Sequence, residues 1–430
     1  MSKLRVHNNN CSFTLEGEQF FYLADTVWSA FTNATLEEWD FYLEKRRSQG
    51  FTVLQINTLP QWDRCMSELH SYPFATEDEN KFEFGTWKQD YYDRARTMCQ
   101  MAVDKGFQLA LVVLWLNYVP GTWGSRMSNN MNIMPKDMLE TYVKKVVASF
   151  EEYDPIYIVS GDTDFDTPEA IEYYEKALDV LCKESPDSLK TMHIKRGYDF
   201  IPEQFLDRMD FYMFQSGHNP TAQEMAYLLP EIFQKKYPKK PLLNGEPCYE
   251  QMGYSGNVYG RFDARDIRKA AWSSLLSGAC AGVTYGAHGV WNWQKLNQKK
   301  NSLIGEGFDG ARPVQEAMEY PGAWDYGFIR NFFTMKQIQY LVPCQELLEE
   351  KSPDIRIAKT KEDEYILYVP YSTRLTLHIP LQDYKAIAYD LDQNRIANLE
   401  LEKTDVDTSI PMNPFGKDVI LYLYKGSKQS

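Results

Sequence analysis

Between residues 20 and 288 of this 430-residue chain, eight short apolar runs alternate with stretches of helical pattern. The runs are FFYLAD (Phe20–Asp25), FTVLQINT (Phe51–Thr58), FQLALVVLW (Phe107–Trp115), IYIVSGD (Ile156–Asp162), TMHIK (Thr191–Lys195), FYMFQSGH (Phe211–His218), PLLNGE (Pro241–Glu246) and AGVTYGAH (Ala281–His288). They are apolar throughout rather than at every second position, as in parallel strands buried on both faces. Eight such βα units predict a (β/α)8 barrel, in the α/β class. A doubly wound sheet is the competing arrangement, but no glycine-rich phosphate loop follows the first run. Helix signals sit between the runs. Thr35 with Glu38 three residues on has the capping-box spacing, Gly50 closes that helix, and Thr167-Pro168 opens another.

After residue 345 the texture changes. DEYILYVPY, RLTLHIP, YKAIAYDLD, RIANLELE and DVILYLYK alternate apolar with polar residues at short spacing. This predicts a small antiparallel β-sandwich over residues 346–430, following a barrel domain over residues 1–345. The first 18 or so residues are expected to lend a strand or two to that sandwich.

Composition narrows the partners. With 46 basic against 60 acidic residues the net charge is −14, a field that repels nucleic acid. No apolar run is long enough for a membrane span, and the first residues lack the apolar stretch of a secretory signal. The seven scattered cysteines form no CxxC pair, which fits reduced thiols in a cytoplasmic protein. Oligomeric state is not encoded in any feature of the sequence.

Barrel active sites lie at the C-terminal ends of the strands. Read in order, those ends carry Asp25 and Trp28, Asn117 just past the third, Asp162 and Asp164 after the fourth, His193 on the fifth, Gln215 and His218 on the sixth, Glu246 on the seventh, and Tyr285, His288 and Trp291 on or after the eighth. Two carboxylates stand out, Asp162 and Glu246, because the fourth and seventh strands face each other across a barrel mouth. Glycoside hydrolysis uses such a pair: one acid protonates the leaving oxygen while the other attacks or activates water. A single strand-end acid is more often a helix cap or ion-pair partner; two at these strands, among aromatic neighbours, favour chemistry. Asp164 competes with Asp162 for the acid's place. Trp28 and Trp291 are the indoles placed to stack on a sugar, a role balanced against capping the barrel top.

Other chemistries are weaker. The six histidines form no HxH or HxxxH spacing, so no metal is expected, nor any other cofactor. GxSxG is absent. His193, His218 and His288 are expected to bond sugar hydroxyls or orient the carboxylates.

The segments FFYLADTVWSAF, RRSQGFTVLQIN, VSGD, DFYMFQSGH, KPLLNGEPCYE, RDIRKAAWSSLLSGACAGVTYGAHGVWNW and YPGAWD resemble the apiosidase-like glycoside hydrolases. That resemblance implies a retaining (β/α)8 glycosidase, often with a C-terminal β-domain named for collagen binding, that releases terminal β-linked apiose from branched pectin. It implies acid/base work for Asp162 and makes Glu246, in NGExxYE, the nucleophile. The two carboxyl groups are then expected roughly 5–5.5 Å apart, with the Asp162 pKa raised by its negative neighbour and Glu246 ionised. Asp25, Trp28, Asn117, Asp164, His193, Gln215, His218, Tyr285, His288 and Trp291 are expected to hold an oligosaccharide or glycoside. An arabinofuranosidase or galactosidase with the same two acids, or a non-catalytic glycan-binding protein, are the alternatives.

Overall fold

The computed structural model describes residues 3–79, 81–255, 258–298 and 310–426. Its centre is an eight-stranded parallel sheet: β1 (Tyr22–Thr26), β2 (Val53–Asn57), β3 (Gln108–Trp115), β4 (Ile156–Gly161), β5 (Lys190–Thr191), β6 (Tyr212–Phe214), β7 (Leu242–Asn244) and β8 (Gly282–Tyr285). The pairing order is β5-β4-β3-β2-β1-β8-β7-β6. The circle closes between β5 and β6 through one parallel bridge, His193 to Met213. The expected fifth strand is thus only two residues of continuous pairing, carried on by isolated bridges at His193 and Ile194.

The covering helices follow the sequence signals. In α1 (Leu36–Ser48) the Thr35 hydroxyl accepts from the Glu38 N–H at 3.1 Å, the Glu38 carboxylate accepts from the Thr35 N–H at 3.0 Å, and Gly50 turns the chain at φ +90°. Next come α2 (Gln89–Asp104), α3 (Leu139–Phe150) and α4 (Pro168–Glu184), the last with Thr167 as N-cap and proline at its first turn. Then α5 (Met225–Lys236), α6 (Ala264–Leu276), capped by Asp263, and α7 (Gly322–Met335) complete the outer layer.

Strand parity decides which side chains reach the site. Gln55 on β2 donates to the Tyr22 hydroxyl at 3.2 Å and to Thr284 Oγ1 at 3.1 Å, so these three face the barrel interior. Asp25 and Tyr285, paired across β1 and β8, have the opposite parity and face the helices. There Asp25 Oδ2 accepts from Arg46 Nε of α1 at 2.5 Å and from the Tyr42 hydroxyl at 2.7 Å.

The C-terminal region is a sandwich. A six-stranded antiparallel sheet, built from Leu341–Pro343, Arg356–Thr360, Tyr365–Val369, Val419–Lys425, Tyr384–Asp390 and Arg395–Leu399, faces a three-stranded one of Leu375–Leu377, Thr408–Ile410 and Glu402–Lys403. One face of the large sheet (Ile357, Leu367, Val369, Leu421, Leu423) packs on Leu375, Leu377 and Ile410 of the small one. Its other face (Ala358, Ile366, Tyr368, Ile420, Tyr422) joins the barrel core. A sheet buried on both faces spends its apolar surface in two directions, which ties the module to the barrel. The N-terminal segment does not join it. Leu4–Val6, Phe13–Leu15 and Glu18–Phe20 form a three-stranded antiparallel sheet of their own, and the Phe13 ring packs edge-on against Phe211 at 5.2 Å.

Candidate active site

β7 delivers Glu246 to the rim, and small residues clear its surroundings. A Cβ at Gly245 would lie 2.1 Å from Met213 and 3.4 Å from the His193 ring; one at Gly286 would lie 2.0 Å from the Tyr249 ring. Asn244 does not donate to Glu246. Its amide bonds Ser216 Oγ at 2.8 Å and Ser274 Oγ at 3.0 Å, fastening β7 to the loop after β6 and to α6.

Glu246 is 7% exposed, and its carboxylate sits between two imidazoles. His218 Nε2 is 3.0 Å from Oε1 and His193 Nε2 is 3.2 Å from Oε2. The protonation of both rings follows from their other nitrogens. Nδ1 of His193 accepts the backbone N–H of Asp162 at 2.9 Å, and Nδ1 of His218 accepts that of Tyr249 at 3.2 Å. An atom that accepts from an amide carries no proton, so in the neutral rings both Nε2 atoms bear one; that of His218 hydrogen-bonds Oε1, and that of His193 lies 3.2 Å from Oε2 outside good hydrogen-bond alignment. Burial alone would push this carboxyl up. The two imidazoles overcome that and hold it well below the usual carboxylate range.

Asp162 follows β4 in the left-handed region, at φ +51°, a conformation costly for a residue with a Cβ. Three contacts hold it there. Its N–H donates to His193, its carbonyl accepts from Trp123 Nε1 at 2.8 Å, and Gly161 leaves space for the Trp115 ring, which a Cβ would meet at 1.9 Å. Asp164 is turned away: its carboxylate accepts the Trp123 N–H at 3.1 Å and lies 3.5 Å from Lys195 Nζ.

Asp162 and Glu246 both line one cavity of about 240 Å³. Its wall carries Trp28, Trp62, Trp115, Trp123 and Trp291, with Gln61, Asp63, Lys195, Arg196, Gln215, His218, Tyr249 and Met252. Of the residues expected to hold the sugar, Trp28, Gln215, His218 and Trp291 line it. His193 reaches it only through Glu246. Asp25 and Tyr285 are excluded by strand parity and belong to the buried Arg46 cluster. Asn117 is buried in the turn after β3, Asp164 serves the Trp123 amide, and His288 is buried with its Nδ1 accepting from Trp291 Nε1 at 3.1 Å. Among the described residues no group of three or more His, Cys, Asp or Glu side chains is arranged to hold a metal ion.

Several wall residues were not among the expected ones. Gln61, Trp62 and Asp63 come from the long loop after β2, Lys195 and Arg196 from the loop after β5, and Tyr249 and Met252 from the loop after β7. Tyr249 accepts from Trp28 Nε1 at 3.1 Å, and burial beside the Glu246 carboxylate raises its phenol well above normal. Its place in NGExxYE, three residues after the glutamate, was the available signal. Trp62 and Trp123, from two different loops, meet edge-to-face at 6.2 Å.

Comparison with known proteins identifies a family and a fold. The family model described as apiosidase-like, catalytic domain, matches residues 7–340. A solved glycoside hydrolase is similar over 100% of this chain and 98% of its own, at 20% identity and a TM-score of 0.80. A glycoside hydrolase family 5 protein from Bacteroides vulgatus is similar over 99% of this chain and 94% of its own, at 19% identity and a TM-score of 0.82. At these identities the structural likeness speaks for the fold alone. Comparison with curated protein sequences found no match.

Proposed function

The chain belongs to the apiosidase-like glycoside hydrolases, and from that premise we propose a retaining, exo-acting enzyme that releases a terminal sugar, apiose or a close relative, from a pectin-derived oligosaccharide. The observation that carries this reading is the placement of Asp162 and Glu246 in one indole-walled cavity.

Glu246 is the nucleophile. A carboxylate kept ionised by two imidazole N–H donors is ready to attack, and it is fixed in place before substrate arrives. Asp162 protonates the departing oxygen, then takes a proton from the water that releases the sugar. The contact of Trp62 with Trp123 bounds the cavity on the loop side, which suits a pocket for a chain end. Trp28 and Trp291 offer ring faces to the sugar, and Gln215 lines the same wall. Seven free cysteines fit work in a reducing cytoplasm on oligosaccharides rather than on intact polymer.

A panel of 4-nitrophenyl glycosides, including β-apiofuranoside, α-arabinofuranoside and β-galactoside, identifies the sugar. Glu246→Gln should then abolish hydrolysis of the best substrate. Unchanged turnover by that variant would remove Glu246 from the mechanism.

A further inference from the structure

We propose that His193 is the positioning residue for the nucleophile: it anchors Glu246 Oε2, leaves Oε1 as the attacking atom, and registers Glu246 against the turn that carries Asp162. This rests on the reading of Glu246 as nucleophile.

The argument begins with two buried polar atoms. Glu246 Oε2 and His193 Nε2 are both sealed from solvent, and neither has a well-aligned hydrogen-bond partner, each other included. They face each other at 3.2 Å. A buried donor and acceptor without other partners cost free energy unless they satisfy each other. Their contact falls short of hydrogen-bond geometry at rest, as catalytic contacts often do before substrate binding tightens them. Because Oε2 is sealed, the small exposure of Glu246 lies elsewhere on its side chain. We assign Oε1, bonded to the cavity-lining His218, as the oxygen that faces the cavity.

The two histidines therefore divide the work. His218 lines the cavity and shares Oε1 with the incoming sugar. His193 is wholly buried, lies outside the cavity wall, and holds the back oxygen. In the first step the Oε1–C1 bond forms as the bond from C1 to the leaving oxygen breaks, and that oxygen takes the Asp162 proton. Oε2 keeps the His193 hydrogen bond throughout, so the carboxylate does not rotate as its charge is spent.

The same ring reaches the other catalytic strand. His193 Nδ1 accepts the Asp162 N–H at 2.9 Å, at a residue held at φ +51°. The Ser160 hydroxyl donates to the His193 carbonyl at 2.9 Å, and His193 forms the bridge to Met213 that closes the barrel. The ring is clamped between Trp115, stacked at 6.1 Å, and Trp28, edge-on at 5.8 Å. One rigid imidazole thus spans from the Asp162 backbone to the Glu246 side chain. It acts through both and touches no substrate.

The test begins with the intact protein and needs no substrate. Long-range proton–nitrogen correlation on 15N-histidine-labelled enzyme should show His193 as the neutral Nε2–H tautomer, with that proton shifted upfield in Glu246→Gln. A His193 Nδ1–H tautomer, or a resonance indifferent to that substitution, would overturn the proposal. Kinetics follow, on the 4-nitrophenyl glycoside that wild type hydrolyses. His193→Phe keeps the packing and loses both hydrogen bonds. It should lower kcat about 100-fold with KM nearly unchanged, and His193→Gln, which restores a donor near Nε2, should recover part of it. Equal loss in both variants, or a change confined to KM, contradicts a positioning role. If Glu246→Gln itself stays active, the nucleophile assignment has failed, and the tautomer still reports on His193 independently.

Discussion

Arg268 of α6 clamps Asp418 of the C-terminal sandwich with two parallel hydrogen bonds, Nε to Oδ2 at 2.9 Å and Nη2 to Oδ1 at 2.8 Å. Its remaining nitrogen, Nη1, donates to Asp325 of α7 at 2.8 Å. One buried guanidinium thereby joins two barrel helices to the module behind them, beside the Tyr368 hydroxyl, which is 3.3 Å from Asp418. Among the described residues, none of the sandwich lines the cavity that holds Asp162 and Glu246.

Breaking that clamp should therefore cost stability, not specificity. Removing one partner of a buried ion pair strands the other charge, at about 3–5 kcal/mol. Asp418→Ala should show this loss in urea unfolding while KM for the best glycoside stays within twofold of wild type, a roughly unchanged value. Removing the whole module should bare Ile366, Tyr368 and Ile420's barrel-side contacts and cause aggregation.

Asp25 offers a sharper contrast, because strand-end position alone assigns it to the sugar. Its carboxylate is fully buried against Arg46 and Tyr42. Asp25→Ala should lower unfolding free energy by about 3 kcal/mol or more and leave KM unchanged in whatever folded enzyme remains. A selective rise in KM would return Asp25 to the binding site.

Glu250 should make stability depend on pH. Burial pushes its carboxyl up to about 7, although the Tyr285 hydroxyl and the Gly322 N–H both donate to it. Its folded value lies above its unfolded one, near 4.5. Between them the folded state holds a proton the unfolded chain has lost, so stability falls as pH rises through that window. Asp325, pushed up to about 6 by burial beside Arg268, acts in the same direction. Glu246, held low by its imidazoles, acts oppositely and only below the ordinary carboxylate value. Glu250→Gln should flatten, not abolish, the decline in thermal midpoint from pH 4.5 to pH 7.

The Trp62–Trp123 contact should govern chain-end selection. Trp62→Ala removes one ring and its edge-to-face contact with Trp123, about 1 kcal/mol of interaction. Oligosaccharide KM should rise several-fold, with cleavage of internal linkages becoming detectable by product chromatography.

How much of this was legible in the sequence depends on what each feature needs. Eight parallel strands and their capped helices are local patterns, and Thr35, Glu38 and Thr167 do in the fold what their spacing implies. Glu246 was legible because a strand that ends on Asn-Gly-Glu can only project the acid at the rim. Asp25 and Tyr285 misled because a fully apolar strand hides its parity; the partners of Gln55 inside the barrel, and Arg46 in the last turn of α1 outside it, show that they face outward. His193 was legible as a rim residue, but its bond to the Asp162 amide depends on the register of β4 against β5, a contact that no local pattern encodes. Lys195, Arg196 and Trp62 enter the wall through loop conformations set by packing against residues distant in sequence, and Tyr249 through the space left at Gly286.

The central claim is that Glu246 captures the sugar covalently. The most direct measurement is peptide mass spectrometry after inactivation by a 2-deoxy-2-fluoro dinitrophenyl glycoside of the sugar the enzyme releases. The account predicts one glycosyl adduct, on Glu246, formed while the dinitrophenolate is released in a single burst. Labelling of another residue, or turnover with inverted anomeric configuration and no adduct, would contradict it.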